Sequence, residues 1–195
     1  MHGLVNRSIQ SFLRDTYGEE LWLRIAHDAR LGFENFEAML GYDDALTEAV
    51  LASAAKLLER PHEALLEDLG TYLVSHPNLE PIRRLLRFGG VSFVDFLHSL
   101  DDLAERGHLA VPDLELPQFE LYPITGTQFL LRCTAPSAGY AHVMVGVLRA
   151  MADDYGALAL LDYAGIDHGA ETITIELLEP SFAAGRPFRL ASGAV

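Results

Sequence analysis

Phe93 to His108 read FVDFLHSLDDLAERGH. At about 100° per residue, Phe93, Leu97, Leu100 and Ala104 fall on one stripe. This spacing predicts a single amphipathic helix. His98 lies about 120° from Ala104 and faces elsewhere, whereas His108 lies about 40° away on the same face, one turn later. Gly107 is expected to fray that last turn. Alanine is common where a helix packs closely, so the pattern alone reads Ala104 as core.

Before this stretch the chain is almost wholly helical. Leu4, Val5, Ile9, Phe12 and Leu13 have helical spacing and Gly18 closes the segment. EELWLRIAHDA gives a second helix. YDDALTEAVLASAAKLLE gives a third, capped by Asp43 or Asp44. Pro61 suits the start of PHEALLEDLGTYLVSH and Pro81 the start of PIRRLLRF. After residue 108 the pattern changes. VPDLELP is a linker. FELYPI and QFLLRC, joined by Thr125-Gly126-Thr127, read as a β-hairpin. PSAGYAHVMVGVLRAMADDYG returns to helix, and ALALLDYAG and ETITIELLE are two more strands. The predicted class is α+β, with helices first and then an antiparallel sheet crossed by one long helix. One domain is expected over residues 1–182, as a helical lobe over about 1–60 and a pocket-and-sheet lobe over about 61–182. A mobile tail is expected over 183–195.

Composition excludes several functions. The chain has 195 residues, half of them apolar, and a formal charge of −14. Such a charge repels phosphate backbones, so no nucleic-acid partner is expected. Cys133 is the single cysteine, which excludes a disulfide framework and a cysteine-based zinc site. The opening MHGLVNRSIQSF lacks the pattern of a signal peptide. The longest apolar run, VMVGVLRAMA, is broken by Gly146 and Arg149 and is too short for a bilayer, so no membrane span is expected. These features predict a cytoplasmic protein. There is no P-loop, GxGxxG, HExxH, CxxC or GxSxG pattern, and the eight histidines are scattered. Asp101-Asp102 and Asp153-Asp154 are adjacent pairs that point to different sides of a helix. No enzyme is expected, because no nucleophile–base pair or metal cluster is visible.

Several stretches carry a family resemblance. They are MHGLVNRSIQSF with its Met-x-Gly-x-x-Asn opening, YGEELW, the Tyr42-Asp43-Asp44 turn, LLEDLGTYL, FLHSLDDL, VPDLELPQF and AGYAHVMVGVLRAMADDYG. In this order the chain resembles the heme-nitric oxide/oxygen binding family (H-NOX, or HNOB), which includes the sensor domain of soluble guanylate cyclase. The resemblance runs from Met1 to about Phe182. It implies the H-NOX fold, with LLEDLGTYL lining the distal side of a pocket and FLHSLDDL opening the proximal helix.

Two departures decide what is expected of the pocket. The family's proximal helix carries Leu-Asp-x-Leu-His, whose histidine ligates heme iron. Here the match is Leu100-Asp101-Asp102-Leu103-Ala104, and the spacing to Pro112 and Phe119 leaves no gap. The family's Tyr-x-Ser-x-Arg motif binds the heme propionates, and here it is Cys133-Thr134-Ala135-Pro136-Ser137. Alanine has no lone pair for iron, and two propionates without the arginine and hydroxyl donors are poorly paired on burial. The resemblance with these losses therefore predicts no cofactor, and heme in particular is not expected. The remaining heme routes are His108 as a displaced ligand and, less suitably placed, Cys133.

The expected pocket is lined by Leu4, Val5, Ile9, Leu69, Leu73, Phe93, Leu97, Leu100, Ala104, Cys133, Ala135, Ser137, Val143 and Val147. Ala104, Ala135 and Ser137 are smaller than what the family places there, which widens the cavity. The favoured function is a heme-independent sensor that holds a hydrophobic small molecule such as a fatty acid, with Arg132 or Arg106 meeting a carboxylate head. A signalling partner in trans, of cyclase, kinase or phosphodiesterase type, is implied by the resemblance. The alternatives are a gas sensor with His108 as axial ligand and a collapsed, ligand-free interaction module.

Overall fold

The computed structural model describes residues 1–178. The expected tail over 183–195 lies outside the described residues. Eight α-helices and four strands follow in the order α1 Gly3–Tyr17, α2 Glu19–Asp28, α3 Asp44–Leu58, α4 His62–Ser75, α5 Glu80–Arg87, α6 Phe93–His98, α7 Leu103–Ala110, β1 Gln118–Pro123, β2 Gln128–Thr134, α8 Tyr140–Tyr155, β3 Ala159–Asp167 and β4 Ala170–Leu177. The sheet is antiparallel throughout, in the order β1-β2-β4-β3. This is the α+β plan that the change of periodicity after residue 108 predicts.

Local chemistry sets the helix ends. Gly18 closes α1 at φ 93°, a backbone conformation that side chains disfavour. The Asp43 carboxylate accepts the Ala45 amide and caps α3. Ser92 and Asp95 form a reciprocal capping box at the start of α6.

The region over Phe93–His108 departs from the expected single helix. α6 is separated from α7 by a 3-10 segment at Ser99–Asp102. Two side chains account for the break. The Ser99 hydroxyl donates to the Phe96 carbonyl at 2.7 Å, competing with the helical ladder. The Asp101 carboxylate accepts the Leu121 amide of β1 at 2.9 Å, which ties this turn to the sheet edge. Gly107 also departs from expectation. It is helical and buried, and a Cβ there would stand 2.2 Å from Leu116 Cδ1. The glycine admits the linker that follows rather than fraying the turn.

The apolar side chains divide into two cores. One joins α6, the sheet and the inner face of α8, around Phe93, Phe96, Leu97, Leu131, Leu148 and Ile173. The other joins α1 to α4 around Phe12, Leu13, Trp22, Ile25, Phe36 and Leu65. The two regions are joined where α4 crosses α8. A Cβ on Gly70 would stand 1.9 Å from the Val143 carbonyl oxygen, and one on Gly146 would stand 1.9 Å from the Glu67 carbonyl oxygen. The two backbones therefore touch, and only glycine fits at either position.

Candidate functional site

The expected pocket residues come from four parts of the fold. α1 contributes Leu4, Val5 and Ile9; α4 contributes Leu69 and Leu73; α6 to α7 contribute Phe93, Leu97, Leu100 and Ala104. β2, its exit and α8 contribute Cys133, Ala135, Ser137, Val143 and Val147. Ile9 and Leu69 are buried in the α1–α4 core, with Val5, Leu73 and Val143 packed half-buried against it. Phe93, Leu97, Leu100, Cys133 and Val147 are buried in the sheet-side core. Leu4, Ala135 and Ser137 are half-buried and belong to neither. The set is thus shared between the two cores rather than gathered in one.

Ala104, like Leu66 and Ala170, is buried outside both cores. It is 8% exposed. His108, one turn on, is exposed in the last turn of α7. The helix face they share is covered at Ala104 and open to solvent at His108.

The arginines expected to meet a carboxylate each make one hydrogen bond to a backbone carbonyl, and the Nε of each is buried without a partner among the described residues. Arg106 donates to the Ser99 carbonyl at 2.8 Å, within its own helical segment. Arg132 extends toward the Asp167 carbonyl at 3.4 Å, on the outward side of β2. The backbone amides at the start of α8 are also taken. Glu171 accepts from Gly139 at 3.1 Å and from Ala141 at 3.2 Å. A helix N-terminus is a natural anion site, but here the protein's own carboxylate fills it. Cys133 faces the sheet-side core, and burial, then the Glu171 charge, pushes its thiol up to about 12. It stays protonated at neutral pH and is a poor metal ligand. No group of three His, Cys, Asp or Glu among the described residues is placed to hold a metal ion.

Two clefts open on the surface. One, of about 430 Å³, lies between α2 and α3 around Arg24, His27 and Leu57. The other, of about 470 Å³, is lined by Tyr42, Asp44, Asp113, Glu115, Ser137 and Tyr140 among others. Ser137 is the one expected pocket residue on either.

With this geometry in place, comparison with known proteins is direct. The family model described as Haem-NO-binding matches residues 2–159. The chain belongs to the Haem-NO-binding family. Among curated relatives of this family member, the soluble guanylate cyclase gcy-31 of Caenorhabditis elegans is 21% identical over 169 residues, covering 86% of the chain and 24% of the relative. Soluble guanylate cyclase 89Da of Drosophila melanogaster is 18% identical, covering 84% and 24%. The chain spans about a quarter of the length of these relatives. The fold matches an Fe(II) unliganded H-NOX protein from K. algicida, with TM-score 0.77, 16% identity and coverage of 92% and 97%. It also matches an H-NOX protein from S. oneidensis in the Fe(II)NO ligation state, with TM-score 0.77, 14% identity and coverage of 92% and 100%.

These findings correct one expectation. Membership of a haem-binding family, with an Fe(II)NO protein among the solved neighbours, overturns the expectation that heme has no place here. Heme is the group that this family implies. The residues that would hold it in the family manner do not fit it. Position 104 offers a methyl group, and positions 133, 135 and 137 offer a buried neutral thiol, a methyl and a hydroxyl.

Proposed function

We infer that this Haem-NO-binding domain is a small-molecule sensor whose guest is held by apolar contact between the two cores, beside Ala104. One observation supports the reading: the expected lining residues stand on both cores, and Ala104 is buried outside both. A guest there would touch α1 and α4 on one side and α6 and α7 on the other. It would bias the angle between the two regions, and only a guest with different affinity for the two arrangements can do so. The close backbone contact of α4 with α8 would serve as the fixed point of that change. A partner protein of cyclase, kinase or phosphodiesterase type would read the change, in the same chain or a separate one.

The geometry favours an uncharged guest over a fatty-acid anion. Arg132 lies on the outward side of β2, Arg106 is turned to the Ser99 carbonyl, and Glu171 fills the α8 N-terminus. An unpaired buried carboxylate is costly.

The test is a thermal-shift panel of hydrophobic molecules, hemin and long-chain alcohols included, on the wild type and on Ala104→Trp. The reading predicts that at least one compound raises Tm in the wild type and that the indole at 104 abolishes the rise. A panel that leaves the wild type unmoved, or a rise that Ala104→Trp leaves intact, overturns it.

A further inference from the structure

One carboxylate stands on a face that is otherwise apolar. On the side of the sheet that meets α8, Leu131 of β2 lies opposite Ile173 of β4 and Phe129 opposite Ile175, and all are buried. Successive strand residues alternate between faces, so Glu171 shares the face of Ile173 and Ile175. It lies opposite Cys133, which in turn lies opposite Phe119 of β1. Among the described strands Glu171 is the one charged side chain on this face. It is half-buried and has no ion-pair partner among the described residues.

Backbone amides hold this carboxylate. It accepts from Gly139 at 3.1 and 3.2 Å and from Ala141 at 3.2 Å. These amides open α8, whose N-cap residue is a glycine with no side chain to supply a cap. The connection that leads into them, Cys133 to Gly139, carries no lysine, arginine or histidine. An anion arriving at this corner of the sheet has the helix end as its natural partner, and finds it taken. The Glu171 charge is felt across the same face. After burial, it is what raises the Cys133 thiol and the Tyr163 hydroxyl.

We propose that Glu171 is a specificity residue of the guest site. It occupies the amides that a guest carboxylate would otherwise take, and its charge turns anions away, so that the site admits uncharged molecules such as long-chain alcohols. The inference rests on the reading of a guest held between the two cores. Two carboxylates cannot share one set of amides, because like charges a few ångströms apart disfavour joint ionisation. Without Glu171 the same helix end is an anion site. A residue that served only as the cap of α8 would act on stability and leave the choice between acid and alcohol unmoved.

The test is calorimetric titration of the full chain with octanol and octanoate at about pH 8, where the acid is ionised. It uses the wild type, Glu171→Ala and Glu171→Gln, the last keeping the size of the side chain and an acceptor for the amides in case alanine prevents folding. The wild type should prefer octanol by at least about tenfold, and both variants should cut that preference about tenfold. A preference that the variants leave unchanged overturns the inference, and so does a wild type that binds octanoate as well as octanol. In either case octanol binding leaves the apolar-guest reading standing. Should octanol fail to bind the wild type, that reading falls and a probe without a tail decides the inference. Acetate, compared with chloride at equal ionic strength, should then raise the Tm of Glu171→Ala and not that of the wild type. No rise in the variant, or an equal rise in both, overturns the inference.

Discussion

The α4–α8 crossing and the α6–α7 segment are built in opposite ways. At the crossing, two glycines bring backbone against backbone, with no side chain between. In α6–α7 the chain is cut by a 3-10 turn, tethered to β1 through Asp101, and ends with His108, Leu109 and Ala110 exposed. The first region has one arrangement. The second has short pieces, each held by a few polar contacts. A sensor needs both, a fixed axis and an element whose position a ligand can bias.

Six substitutions sharpen this contrast. The largest effect is expected at the crossing. Gly146→Val drives a branched side chain into the Glu67 carbonyl, and it should leave no cooperative unfolding transition in calorimetry. Gly70→Val should do the same at the Val143 carbonyl. Next comes Leu97, fully buried in the sheet-side core, where Leu97→Ala should cost about 3 kcal/mol in urea unfolding. Ser92→Ala removes half of the capping box and should cost about 1 kcal/mol. Its partner gives a pH dependence. Hydrogen bonds, from the Ser92 side chain first, hold the Asp95 carboxyl below its usual range. A depressed folded pKa means that this contribution is complete above the unfolded value, near about 4, and is lost as pH falls through the folded value. Amide protection factors over 93–98 should therefore fall below about pH 4 in the wild type and be about fivefold lower already at neutral pH in Ser92→Ala. The smallest effect is expected at Ala104. Ala104→Leu should shift stability by less than about 1 kcal/mol, because a guest space beside that methyl would take the added side chain. The same change at Ala141, fully buried in the sheet-side core, should be clearly destabilising.

Much of the fold was legible because hydrophobic period changes from helical to alternating after residue 108. The Thr125-Gly126-Thr127 turn and the Asp43 cap are local signals and sit as read. The break in α6–α7 was not legible, since the partner of Asp101 is the Leu121 amide, twenty residues on. The glycine crossing left a trace that was readable. Gly70 and Gly146 each interrupt a helical pattern, at a cost of about 1 kcal/mol relative to alanine, and such a cost implies close packing. The acidic cleft left none, because its segments are brought together only by the tertiary fold. Exposure of His108 follows from the end of α7, which helical phase alone does not locate.

The most direct measurement is organic extraction and mass spectrometry of the full chain purified without added cofactor, with its visible spectrum recorded beforehand. The account predicts one hydrophobic molecule released per chain, and loss of that molecule from Ala104→Trp. A protein that is empty by extraction and colourless, in the wild type as in the variant, would contradict the claim that the two cores hold a guest beside Ala104.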